Sequence, residues 1–196
     1  MARSLVCLAA AAALTLTGGL AAGAAPAAAQ TPVAGEAGPE TELAPVGVCL
    51  GAEDGTAPAP VQLAAMRCLV NYARAQHGLK RLGGSRRLAR SAAAKTAMML
   101  TCDQFAHDAC GRPWFQVLRA VGLRRSVGEN IAYANYQSAD GTLASPRFVM
   151  DKWLHSPSHR TNILRTRWRT HDVAVHLRAG FQGLGDVAVW TSHFSA

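Results

Sequence analysis

Apolar and polar positions follow two rhythms along this chain, helical over most of its length and strand-like towards residue 190. From Val61 to His77, Leu63, Met66, Leu69, Val70 and Ala73 recur at intervals of three and four, the spacing of a helix with one buried face, and Gly78 predicts its end. A second helix is predicted from Ser85 to about Thr101. There Leu88, Ala92, Met99 and the alanines form the apolar side, and Arg86, Arg87, Arg90 and Lys95 read as solvated. Pro113 suits the first turn of a short third helix through Trp114, Val117, Leu118 and Val121, ending near Gly122. Ser145-Pro146 starts a fourth, with Phe148, Val149 and Trp153 spaced to face a core. Val173-Ala174-Val175 and Val187-Ala188-Val189-Trp190, separated by Gly180, Gly183 and Gly185, predict a β-hairpin. Helices first and strands last indicate a layered α+β domain and exclude a parallel βαβ array.

The first sixty residues carry neither rhythm. Arg3, the apolar run from Leu5 to Leu16 and the small residues Ala27-Ala28-Ala29 have the layout of a signal peptide over residues 1–29, cleaved before Gln30. The apolar stretch is shorter than the roughly 20 residues a spanning helix needs, and Cys7 lacks the small residue of a lipobox just before it. Residues 30–60 are rich in Pro, Gly, Ala and acid and read as a flexible leader whose end Cys49 anchors. Residues 61–196 are the length of one ordinary domain, and the expected product is a secreted monomer.

Charge and cysteine content sharpen this picture. Removing Arg3 with the signal leaves 19 Lys and Arg against 12 Asp and Glu, a net +7. Five of those acids (Glu36, Glu40, Glu42, Glu53 and Asp54) lie in the leader with no base among them, so the part from Val61 onward carries +12. Such a domain is drawn to anionic surfaces, whether phospholipid head groups or acidic wall polymers, and the acidic leader is placed to mask it. Export and the lack of a recognition motif argue against nucleic acid. Four cysteines remain after cleavage, an even number suited to an oxidising compartment; four allow three pairings, and proximity favours Cys102 with Cys110 and Cys49 with Cys68. No C-x-x-C pair supports a zinc-thiolate site.

Three polar motifs carry the candidate chemistry: Phe105-Ala106-His107, Gly128-Glu129-Asn130-Ile131-Ala132, and Trp153-Leu154-His155-Ser156-Pro157-Ser158-His159-Arg160. Their order and spacing resemble the bacterial branch of the CAP superfamily, the cysteine-rich secretory, antigen 5 and pathogenesis-related-1 proteins that share the SCP domain. Asn71-Tyr72-Ala73-Arg74 with Gly78-Leu79 and Leu82 is similar to that family's opening helix, Leu88-Ala89 with Ala93 to its second, and Trp190 and Phe194 to its last strand. The resemblance covers about Val61 to Phe194. It implies an α-β-α sandwich with a small antiparallel sheet between helical layers, and a cleft lined by two histidines and two acids in which the histidines can hold a divalent metal.

On that resemblance His107 and His159 match the histidines and Glu129 one acid, an open coordination set for which zinc is favoured. The second acid is absent. Ser156 stands where the better-known members carry a glutamate three residues after the tryptophan, and Asp151 precedes Trp153 instead of following it. An incomplete tetrad weakens both a bound dication and a general base, since one carboxylate cannot easily be ligand and base together. Asn130 reads as a backbone clamp, Trp153 and Trp190 as core, and Ser156-Pro157 as the N-cap and first turn of a helix through Leu164 that sets His159 at its third position. His155 either adds a nitrogen to the site or is an exposed helix-end residue. His77, His171, His176 and His193 have no site spacing, Ser158 beside His159 is not a catalytic pair, and no Gly-x-Ser-x-Gly turn, phosphate loop or dinucleotide fingerprint occurs. Two functions remain: an extracellular binding module for lipid, sterol, wall polymer or protein, and a metal-assisted hydrolase or protease in which Glu129 activates water.

Overall fold

A computed structural model describes residues 37–124, 126–136 and 142–196. The signal peptide expected over residues 1–29 and the start of the leader through residue 36 lie outside them. Six helices are described: α1 (Pro39–Glu42), α2 (Ala59–Gln76), α3 (Arg86–Thr101), α4 (Gln116–Ala120), α5 (Pro146–Leu154) and α6 (Pro157–Ile163). The strands are β1 (Val127–Asn135), β2 (Thr170–Phe181) and β3 (Leu184–Ser195).

Local chemistry sets the helix ends. Ser85 and Ser145 cap α3 and α5 by accepting from the amides of Leu88 and Phe148. Gly78, at φ +63°, ends α2, and the amide of Leu79 bonds back to the carbonyl of Arg74. The hairpin joins β2 to β3 through Gln182-Gly183, both at positive φ, the backbone a tight two-residue turn requires.

The described strands form one antiparallel sheet in the order β1-β3-β2. β3 is therefore central and is buried from Val187 to Ser195. Its alternate side chains serve two layers. Ala188, Trp190 and Phe194 join the larger core with Met66, Leu69 and Val70 of α2 and Met150 and Trp153 of α5. Val187 and Val189 face Met99 of α3, and Thr191 bonds Thr96 of α3 at 2.9 Å. This is the expected α-β-α sandwich. Both expected disulfides are present, Cys49–Cys68 and Cys102–Cys110.

Three expectations need correction. The leader is packed onto the domain from Pro39: Ala44, Cys49, Ala52 and Ala57 are buried, and Glu42 is fully buried. Small apolar residues without a period escape a search for amphipathic faces, and the packed unit extends N-terminal of residue 61. Lys95, read as solvated, is buried. The third helix starts at Gln116, three residues after Pro113.

Candidate functional site

The site grows from one register. In the sheet Glu129 of β1 lies opposite His193 of β3, which in turn lies opposite Asp172 of β2. Glu129 accepts from His107 Nδ1 at 2.7 Å on one carboxylate oxygen and from His193 Nε2 at 2.8 Å on the other. His193 is buried and its Nδ1 lies 2.8 Å from Ser91 Oγ of α3. Ser91, His193 and Glu129 have the connectivity of a hydrolase triad, but Ser91 is buried and also bonds the carbonyl of Leu88, so no substrate reaches its hydroxyl. Burial raises the Glu129 carboxyl, yet the hydrogen bonds of His107 and His193, with the charges of His193 and Lys95, outweigh it and hold the group below its ordinary value. Glu129 is ionised at neutral pH.

The loop bearing His107 is tied at several points. The Cys102–Cys110 disulfide closes it, and Phe105 packs edge-on against Tyr133 of β1 at 4.8 Å. The Trp114 amide donates to Asp108 Oδ1 at 2.8 Å. From beneath, Lys95 Nζ donates to the carbonyls of Ala106, at 2.8 Å, and His107. Burial pushes the Lys95 ammonium down from its ordinary value, with the charges of Glu129 and Asp108 opposing.

His159 enters from the first turn of α6. Ser156 occupies the N-cap position, but its hydroxyl makes no cap bond to the backbone; it lies 2.8 Å from His159 Nδ1 and orients that ring. Asn130 Nδ2 donates to the His159 carbonyl at 3.2 Å, and Asn162 donates to Asn130 Oδ1 at 2.9 Å. Trp153 is buried and donates to the Ile131 carbonyl. Burial lowers the His159 ring below the ordinary imidazole value, and the charge of nearby His107 lowers it further, so the neutral, donor-capable form prevails. His155 turns away, its ring against Asp151 and Glu40.

Among the described residues no group of three His, Cys, Asp or Glu side chains forms a metal cage. The set His107, His159 and Glu129 is not gathered as one, because both oxygens of Glu129 are turned to imidazoles. With each Nδ1 engaged, His107 and His159 keep Nε2 as their remaining donors, and Glu129 stands behind His107 as the outer carboxylate of many metal-binding histidines does. A cavity of about 360 Å³ opens over His107, Glu129, Asn162 and Trp168.

His193 and Ser91 were missed by sequence reasoning. Extending the alternation of Val187 and Val189 through Thr191 to His193 would have put a polar pair on a core-facing stripe, the available signal.

The model of the cysteine-rich secretory protein family, CAP, matches residues 68–180. The chain belongs to the CAP family. The match takes in all three motifs and ends before His193. Protein YkwD of Bacillus subtilis (strain 168), itself described as uncharacterized, is 30% identical over 129 residues, covering 64% of this chain and 44% of YkwD. The CAP chain thus spans less than half the length of that relative. Its fold is similar to an extracellular protein containing an SCP domain from Bacillus anthracis, at TM-score 0.55 and 24% identity over 70% of this chain and 41% of that one. It is also similar to a cysteine-rich secretory protein from Staphylococcus aureus, at TM-score 0.53 and 18% identity over 72% and 40%. An outer surface protein from Borrelia burgdorferi matches at TM-score 0.51 and 15% identity over 66% and 88%. No helix among the described residues is long and apolar enough to cross a membrane.

Proposed function

We propose that this CAP protein is a secreted, monomeric binding module whose cleft captures a ligand through His107 and His159 without turning it over. One observation carries the reading: both oxygens of Glu129 are engaged, by His107 and His193. A general base needs an accessible oxygen and a proton affinity near the working pH; Glu129 is buried with each oxygen already facing an imidazole, and its proton affinity is held low. The Nε2 atoms of His107 and His159 remain as donors. A divalent metal, zinc in first place, would be held by His107 and His159 with Glu129 orienting the former, and when bound it would supply an electrophilic centre for an anionic or carbonyl group. The ligand classes in keeping with the family and the basic surface are anionic lipid, sterol, wall polymer or another protein.

Zinc calorimetry on the oxidised protein, beside a folded His107→Ala, His159→Ala double variant, tests the cleft. About one equivalent bound by the wild type and none by the variant is expected; no binding by either removes the metal from the proposal. Metal-dependent turnover of protein or ester substrates that disappears in Glu129→Gln would replace the binding module by a hydrolase.

A further inference from the structure

Three acids of the N-terminal segment, Glu40, Glu42 and Glu53, are spent on ion pairs. Glu42 pairs with Arg160 and with His77 at 2.6 Å, Glu40 with His155 at 3.3 Å, and Glu53 with Arg147 at 3.8 Å. Four other arginines, Arg119, Arg124, Arg165 and Arg167, are exposed. No carboxylate pairs with any of them among the described residues.

These four line connected hollows. One of about 250 Å³ holds Arg119, Arg124 and Arg167; a second of about 560 Å³ holds Arg165 and Arg167 together with Arg160, which Glu42 already pairs. The first shares Trp114 and Val127 with the His107 cavity, and the second shares Arg165 with it. The groove is therefore continuous with the candidate site, whose own end carries Asp108 and Glu129. Its floor is fixed beforehand. Buried Arg74 donates to the carbonyls of Ile163, at 2.8 Å, and Arg165, at 3.1 Å. Trp168 Nε1 donates to the Asn162 carbonyl at 2.7 Å, and Arg169 to that of Thr166 at 3.1 Å. A backbone held in place beforehand spares a ligand the ordering cost of the loop.

We propose that this arginine groove beside the cleft binds a linear polymer of repeating polyol-phosphate units. The proposal rests on the binding-module reading and names the ligand of that module. Guanidinium groups, with no lysine among them, match phosphate oxygens in a two-point fashion that an ammonium cannot. A chain fits a groove better than a bilayer does, and none of the large exposed apolar residues (Val46, Val48, Leu50, Val61, Phe105, Tyr133, Leu143) lines the groove to enter a membrane. Single-stranded nucleic acid needs free aromatic faces for its bases. Here Arg119 already covers Phe115 at 4.2 Å, Arg167 and Arg165 cover Trp168 at 4.9 and 5.6 Å, and Trp168 is buried. Trp114, the one aromatic of that lining that no arginine covers, stands edge-on to Phe115 at 6.1 Å. The groove therefore offers dense charge and a single indole in place of a run of stacking faces.

The test is binding of poly(glycerol phosphate) to the oxidised protein by calorimetry at low and high salt. The variant replaces Arg119, Arg124, Arg165 and Arg167 by Gln; a control with equal charge loss replaces Lys80, Arg81, Arg86 and Arg90, which are exposed and outside the groove. Circular dichroism checks both folds. The expected result is a groove variant weaker by about tenfold or more with a shallower salt dependence, and a control within about threefold of wild type. Equal losses in both variants, or no binding by the wild type, overturn the proposal. So does equal, groove-dependent binding of phosphatidylglycerol vesicles or oligo(dT). Zinc binding at His107 and His159 is scored separately: polymer failure with zinc retained ends the groove proposal alone, and failure of both ends the binding module as well.

Discussion

Gly128 shows how an absent side chain can hold a site. A β-carbon there would lie 2.4 Å from Asn162 Oδ1 and 2.9 Å from Trp168 Cζ2, so Gly128→Ala must displace the asparagine that bonds Asn130 and the carbonyl beneath Trp168. A loss of about 1–3 kcal/mol by chemical denaturation is expected. Lys95 works in the opposite way, as a buried cation whose ammonium fastens the His107 loop. Lys95→Met leaves two carbonyls without that donor; about 2 kcal/mol of stability should be lost, with weaker zinc binding by calorimetry than the wild type. The two residues differ in legibility. Gly128 was legible through its motif, whereas Lys95 lies on the apolar stripe of α3 between Ala92 and Met99 and was read by its charge, with exposed Arg86, Arg87 and Arg90, and not by its place.

Among the elements, α2, α3 and α5 were legible because each pairs an apolar stripe with a Ser or Gly boundary. β1 was not. Its residues 128–131 are buried in succession, Glu129 and Asn130 among them, which hides the period of two that marks a strand, and without β1 the pairing of Glu129 with His193 could not be drawn. The segment from α1 to α2 was hidden for a different reason: its anchors are small buried residues, the Glu42 carboxylate and the Cys49–Cys68 link, none of which recurs with a period. Glu42 is fully buried and Arg160 is partly exposed, so Glu42→Gln should cost about 2 kcal/mol. The Cys49–Cys68 link closes 19 residues of chain, and Cys49→Ala with Cys68→Ala should cost about 3 kcal/mol. Thermal denaturation checks both, and a cost near zero would mean the segment is not docked in solution.

Across the whole molecule, the buried titrating groups respond to acid with one sign. Burial, with the charges of Arg67, His193 and Arg74, pushes the His171 ring from 6.5 down to about 3, so the unfolded chain takes up that proton first. Its contribution is complete above pH 6.5 and is lost as pH falls towards 3, at about 1.4 kcal/mol per unit. Glu42 and Glu129 are also held below their ordinary values, and their contributions disappear over a lower range, as pH falls through the carboxylate region. Urea denaturation should show stability about 2 kcal/mol lower at pH 5 than at pH 7, with His171→Gln flattening that difference. A gain on acidification would contradict the assignment of all three groups.

The sheet order β1-β3-β2 sets a timetable. The strand that joins the other two, and that carries His193 to Glu129, comes after both in the chain. Until Leu184–Ser195 is available, β1 and β2 have no partner strand in the sheet and Glu129 lacks one of its two supports. A chain emerging residue by residue therefore completes neither sheet nor site until that strand arrives.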